Sequence, residues 1–218
     1  MRPFAIATVF ALIAPHTVLA KVVSERQSSE MFWEFATCVA SNGPQTSQKL
    51  LLSRDWGAEE KKEAQNLAQR NANCGTFELM TFSPALFRGA LASAIFVKAH
   101  RGQALPDYSS VKFPVSAEEA KRLEQQAGNQ QLVLLMFANC VFRNRAEPTR
   151  ALLDTRPFSA AENKQWQVLD SVMGGCLTAA EGSQVRFTRV KLRALLGEAA
   201  YLNDWALAEK AHDGEHLN

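Results

Sequence analysis

One pattern occurs twice in this chain, and each copy carries one pair of cysteines. Phe35-Ala36-Thr37-Cys38-Val39 reappears as Phe137-Ala138-Asn139-Cys140-Val141. The same shift of 102 positions lays Cys74 on Cys176, Leu50-Leu51 on Leu152-Leu153, Glu60 on Glu162 and Leu67 on Leu169. A tandem duplication limits the fold to one that accepts the same unit twice. It also orders the cysteines. Four cysteines allow three pairings. A unit that once stood alone would have closed its own bond, which favours Cys38–Cys74 and Cys140–Cys176. Each bond closes a loop of about 36 residues, worth roughly 3–4 kcal/mol in the chain-entropy account.

The first twenty residues read as a secretory signal peptide. Arg2 supplies the positive start, Phe4 to Ala14 is an almost unbroken apolar run, and Val18-Leu19-Ala20 precedes a cut ahead of Lys21. The run is shorter than the roughly 20 residues a membrane span needs. Export and an even cysteine count point to disulfides and to a periplasmic or secreted location. After the cut the chain holds 23 basic and 22 acidic residues. That balance gives no reason to expect nucleic acid or an anionic membrane as partner. With 47% hydrophobic residues the chain has the apolar content to build a core.

Helical periodicity divides each copy into four segments. In copy one the first runs from about Ser29 to Ser41, with Phe32, Phe35, Ala36 and Val39 on one face. The second is short, about Thr46 to Ser53. The third is polar, about Ala58 to Asn73, and Cys74-Gly75 stops it. The fourth opens at Ser83-Pro84, a good N-cap followed by a proline at the first helical position, and runs to about His100. Copy two repeats this from about Gln130 to Asn144, from near Pro148, from a capping box at Ser159-Ala160-Ala161-Glu162 to Cys176, and from Thr188 onward. Thr188 matches Ser83 after a shift of 105, so copy two gained three residues before its last segment.

The expected fold is all-α: a tandem duplication of a four-helix, disulfide-stapled unit packed as one helical body. The connections Thr76–Phe82 and Thr178–Phe187 alternate enough to allow a short β element in each copy. The expected organisation is a signal peptide at 1–20, helical repeat 1 at 21–100, a linker loop at 101–115, helical repeat 2 at 116–210 and a flexible tail at 211–218. A further capping box, Ser116-Ala117-Glu118-Glu119, would open a helix before the Gly128-Asn129 break.

The search for chemistry finds little. His212-Asp213-Gly214-Glu215-His216 spells the H-x-x-E-H of inverted zinc peptidases, but Gly214 weakens any helix and a third ligand would have to come from upstream, against the usual order, so a solvated tail is the better reading. No metal and no cofactor is expected. A cysteine nucleophile needs a free thiol and a histidine, yet all four thiols have matched partners and His100 is the one histidine of the mature chain outside the tail. The pairs Glu59-Glu60 and Glu118-Glu119 sit in first turns, where they complement the helix dipole. Trp33, Trp56, Phe158 and Trp166 read as packing residues before they read as a ligand cage. Arg88 and Arg193 match across the copies and stand beside the apolar stripe of the last segment. They are candidate anion or ligand contacts. The other reading is that each caps the carbonyls of a neighbouring segment or pairs with a glutamate such as Glu34 or Glu78.

The F-A-x-C-V motif (Phe35–Val39, Phe137–Val141), the distal Cys74 and Cys176, and the pairs Phe87-Arg88 and Leu192-Arg193 resemble a group of uncharacterised exported two-repeat proteins of sphingomonad-type alphaproteobacteria. The resemblance spans most of the mature chain. It implies a compartment and a repeat organisation and lends no catalytic residue. The expected function is a non-enzymatic periplasmic module that binds a protein, peptide or envelope component, without nucleic acid and without stable membrane insertion. The alternatives are a hydrolase acting on envelope material, or a purely structural or stress-tolerance protein.

Overall fold

A computed structural model describes residues 24–53, 58–75, 83–115, 131–177 and 187–215. Copy one contributes α1 (Glu25–Asn42), α2 (Pro44–Leu52), α3 (Ala58–Arg70), a 3-10 turn (Ala72–Cys74) and α4 (Pro84–Ala99). Copy two contributes α5 (Gln131–Asn144), α6 (Ala146–Leu153), α7 (Ala160–Cys176) and α8 (Arg189–Glu215). The four-segment unit is therefore present twice, and no strand occurs among the described residues. The two connections read as sites of a short β element lie outside them, except for Phe187. So do residues 1–23, Trp56 and the 116–130 segment.

Local chemistry sets the helix ends. Ser24 and Gln27 form a capping box that starts α1 four residues earlier than its apolar stripe requires. Ser83 Oγ accepts from the Leu86 N–H with Pro84 behind it, and Thr188 Oγ1 accepts from the Lys191 N–H at 3.2 Å. The capping box expected at Ser159 forms by half. Ser159 Oγ accepts from the Glu162 N–H at 3.0 Å, but the Glu162 carboxylate reaches one residue further back, to the Phe158 N–H at 2.6 Å. Phe158 stands at φ 57°, a left-handed conformation that an aromatic residue rarely adopts, and this bond holds it there. Helix α8 continues to Glu215, into the stretch from Ala211 read as a polar tail.

Both disulfides join the residues that the duplication pairs. Cys38–Cys74 ties α1 to the 3-10 turn, and Cys140–Cys176 ties α5 to the end of α7, with Cα separations of 5.6 and 5.7 Å. Asn42 and Asn144, again matched by the shift of 102, each turn their amide toward the sulfurs of their own copy. Two disulfides fit an oxidising compartment. No helix among the described residues is long and apolar enough to cross a membrane.

Helices α4 and α8 cross at the centre, and small residues let their backbones touch. A methyl group added to Gly89 would lie 2.3 Å from the Ala194 carbonyl oxygen. One added to Gly197 would lie 2.7 Å from the Gly89 oxygen and 1.9 Å from Ser93 Oγ. Gly89 and Ala194 are equivalent positions under the shift of 105. A residue that meets its own counterpart marks the axis of an isologous, two-fold-like contact. The two copies therefore pack face to face. Phe35, Phe87, Leu51 and Leu91 of copy one share one continuous core with Leu135, Phe142, Leu152 and Leu196 of copy two.

Candidate functional site

The matched arginines lie inside the protein, each 1% exposed. Arg88 donates through Nη1 to the Leu50 carbonyl at 2.7 Å and to Glu60 at 3.1 Å, through Nη2 to the Leu51 carbonyl, and through Nε to Glu198 at 2.6 Å. Arg193 donates through Nη1 to the Leu152 carbonyl and to Glu162, both at 2.9 Å, and through Nη2 to the carbonyls of Leu153 (2.8 Å) and Thr155 (2.6 Å). Apart from Thr155, just past α6, the accepting carbonyls end α2 and α6, where four oxygens of any helix lack an intrahelical partner and where positive charge is favoured. This geometry is the carbonyl-capping reading of the two arginines. Their carboxylate partners differ from those expected. Glu34 instead meets Arg156 at the surface, at 3.4 Å, and Glu78 lies outside the described residues. The true partners Glu60 and Glu162 carried a signal in the sequence, since the shift that aligns the cysteines also aligns them. Their role at a first helical turn hid it.

The arginines differ in what they meet across the interface. Arg88 reaches Glu198 of the other copy. The position equivalent to Glu198 is Ser93, too short to reach and already bonded to the Gly89 carbonyl at 2.8 Å. Arg193 faces the Trp33 ring of the other copy instead, with its guanidinium carbon 5.5 Å from the ring centroid. Burial pushes the Arg193 guanidinium below its usual pKa range, and Glu162 offsets part of that.

The remaining candidates are placed as follows. Trp33 and Trp166 are buried, and Phe158 is half-buried, so packing describes them. Glu59 is exposed. His100 caps α4 and its Nε2 sits 2.8 Å from Asp204 Oδ1 of α8. Among the described residues no group of three or more His, Cys, Asp or Glu could hold a metal ion. The side chains of the His212–His216 motif lie outside the described residues.

An open cleft lies among residues that no sequence motif singled out. It encloses about 460 Å³, within the range of about 300–1,000 Å³ usual for ligand pockets. One wall is the 101–115 segment, through Ser110, Lys112, Phe113 and Pro114; the other is α8, through Trp205, Glu209 and Lys210. Both walls are parts without a counterpart in the duplication. Under the shift of 105, Trp205 matches His100, where α4 has already ended. A second cavity of about 290 Å³ opens on the pseudo-two-fold, between Ser83 and Leu86 of one copy and Thr188 and Lys191 of the other. Neither cavity is lined by Arg88, Arg193 or His100.

The 101–115 segment reads as a linker loop by composition, yet it is fastened along its length. Gly102 takes a φ of +72°, which favours glycine. Arg150 donates to the carbonyls of His100 (3.0 Å) and Gln103 (2.8 Å), and Glu147 accepts the Leu105 N–H at 3.0 Å. Arg143 donates to the carbonyls of Tyr108 and Val111, and its Nε meets Asn203 Oδ1 at 3.1 Å. The Tyr108 hydroxyl donates to Asp204 at 3.1 Å, and Lys210 Nζ to Ser110 Oγ at 3.3 Å. Burial, and then the Asp204 charge, push the Tyr108 phenol well above its usual pKa. Tyr108, Val111, Phe113 and Val115 enter the core. The cleft thus has a fixed outer wall. Comparison with protein-family models, curated proteins and solved structures returned no match to the chain.

Proposed function

We propose that the protein is an exported, non-enzymatic binding module of the periplasm or extracellular space, and that it recognises a protein, peptide or envelope component at the cleft between the 101–115 segment and α8. The observation that carries this reading is the division of labour among polar groups. The buried charges are spent on the frame: Arg88 and Arg193 cap helix ends and pair with Glu60, Glu198 and Glu162. The cleft instead offers an indole, a proline and exposed lysines on walls held by a hydrogen-bonded frame. A preformed site of that kind binds without the cost of ordering itself. Export is supported by the leader pattern at 1–20, by the disulfides, and by the resemblance to exported two-repeat proteins.

The test is affinity capture from a periplasmic extract with oxidised mature protein as bait, run beside a Trp205→Ala bait. One partner enriched by the first and lost by the second supports the reading. Equal recovery by both baits, or no enrichment, removes the cleft as the recognition site. Protein recovered from cells should begin at or near Lys21; an intact Met1 end would remove the export premise.

A further inference from the structure

We propose that the cleft takes an acidic peptide segment, an extended stretch with carboxylates flanking an aromatic or proline residue. This rests on the cleft being the recognition site. The walls supply two kinds of contact. Trp205, half-buried on α8, and Pro114, half-buried on the 101–115 segment, line the cleft together with the buried Phe113. Such rings bind apolar side chains with little loss of rotamer freedom. Two exposed lysines line the opposite walls, Lys112 from the segment and Lys210 from α8. Lys210 already bridges the walls by its bond to Ser110. A carboxylate entering there meets positive charge from both sides.

Glu209 decides between occupants. It lies beside Lys210 on the same wall and reduces the local balance to one net positive charge. An anionic lipid surface is recognised by clusters of about four to eight basic residues. Two lysines and a glutamate fall short of that. Nucleic acid needs several phosphate contacts as well. A peptide suits the mixed set, because its carboxylates meet the lysines while its backbone N–H groups can donate to Glu209 and Ser110. The fixed walls add a preformed geometry for an extended chain, held in place by Arg143 and Asp204.

The test uses the full mature, oxidised chain and a fluorescein-labelled hexapeptide, Gly-Glu-Phe-Pro-Glu-Gly, followed by fluorescence anisotropy. The control peptide carries Gln for both Glu. The acidic peptide should bind saturably at one site, about tenfold more tightly than the control, and more weakly as salt rises. The double variant Lys112→Glu with Lys210→Glu should lose about tenfold in affinity, with an unchanged helical circular dichroism spectrum. Both lysines are exposed, so this variant leaves the core intact. No saturable binding, equal binding of the neutral peptide, or indifference to the double charge reversal would overturn the proposal. So would association with phosphatidylglycerol vesicles in place of the peptide. If capture through Trp205 succeeds while the peptide fails, the ligand class is wrong and the cleft reading stands. If both fail, the cleft reading goes with it.

Discussion

Arg88 and Arg193 are among the largest fully buried side chains of the described residues, and each converts helix-end carbonyls into a charged anchor. Truncating one partner of a buried ion pair costs about 3–5 kcal/mol, because the other charge is left without compensation. Arg88→Ala should cost that much in reversible denaturant unfolding with the disulfides intact. Arg193→Ala should cost less, since Arg88 holds carboxylates from both copies and Arg193 only one. Equal costs would show that the pairing across the copies contributes nothing. Tyr201 gives a pH signature. Burial pushes its phenol up to about 12. In the unfolded chain it loses its proton near 10. Between those values the unfolded state binds fewer protons than the folded one, so stability is lost as pH rises. It is fully present below about 10. Melting temperature measured against pH should fall through that window, and Tyr201→Phe should make the fall shallower. At this scale the sequence showed the arginines by their matching but not their depth. A guanidinium beside an apolar stripe reads alike whether it points out to solvent or inward to carbonyls. Only the position of α2 and α6 decides.

The elements were legible because their ends are written in local chemistry. Ser83-Pro84 and Thr188 start α4 and α8 where their side chains can accept a backbone N–H. Where the structure departs from expectation, a longer-range contact has intervened. Glu162 leaves its capping box for Phe158 and Arg193 because Arg193 brings a full charge within reach. The 101–115 segment has the glycine and prolines of a linker, but its Tyr108, Val111, Phe113 and Val115 fill gaps beside α5 and α8. The every-second-residue spacing of Val111, Phe113 and Val115 was the available signal. The crossing of α4 and α8 was less visible, because a glycine inside a helix reads as a weakness until its neighbour is known. Gly89→Ala should destabilise by about 1–3 kcal/mol, the usual cost of overpacking. The atom in the way is a backbone carbonyl, which cannot step aside as a side chain can. Gly174→Ala, where added bulk meets nothing within 4 Å, is the matched control and should be neutral or stabilising in the same thermal melt.

For the molecule as a whole, duplication explains the frame and its departures explain the cleft. Two units of one kind, each with its own disulfide, pack through α4 and α8 into a single core. Each disulfide is worth roughly 3–4 kcal/mol. Reducing both would remove much of the 5–15 kcal/mol that keeps an ordinary domain folded. Reduction should therefore lower the melting temperature sharply, and non-reducing peptide mapping should recover Cys38 with Cys74 and Cys140 with Cys176. Crossed pairing would break the duplication argument. The cleft was not legible because the repeat drew attention to what is shared. Lys112, Trp205 and Lys210 stand in the two parts that have no counterpart, and chemistry there is free to change without disturbing the frame. The most direct test of the central claim is photo-cross-linking in the living cell. A photoreactive residue is placed at Ser110 on the cleft wall and, separately, at Val168, which is exposed outside it. The account predicts one discrete cross-linked product from Ser110 and none of that mass from Val168. The same product from both positions, or from Val168 alone, would contradict it.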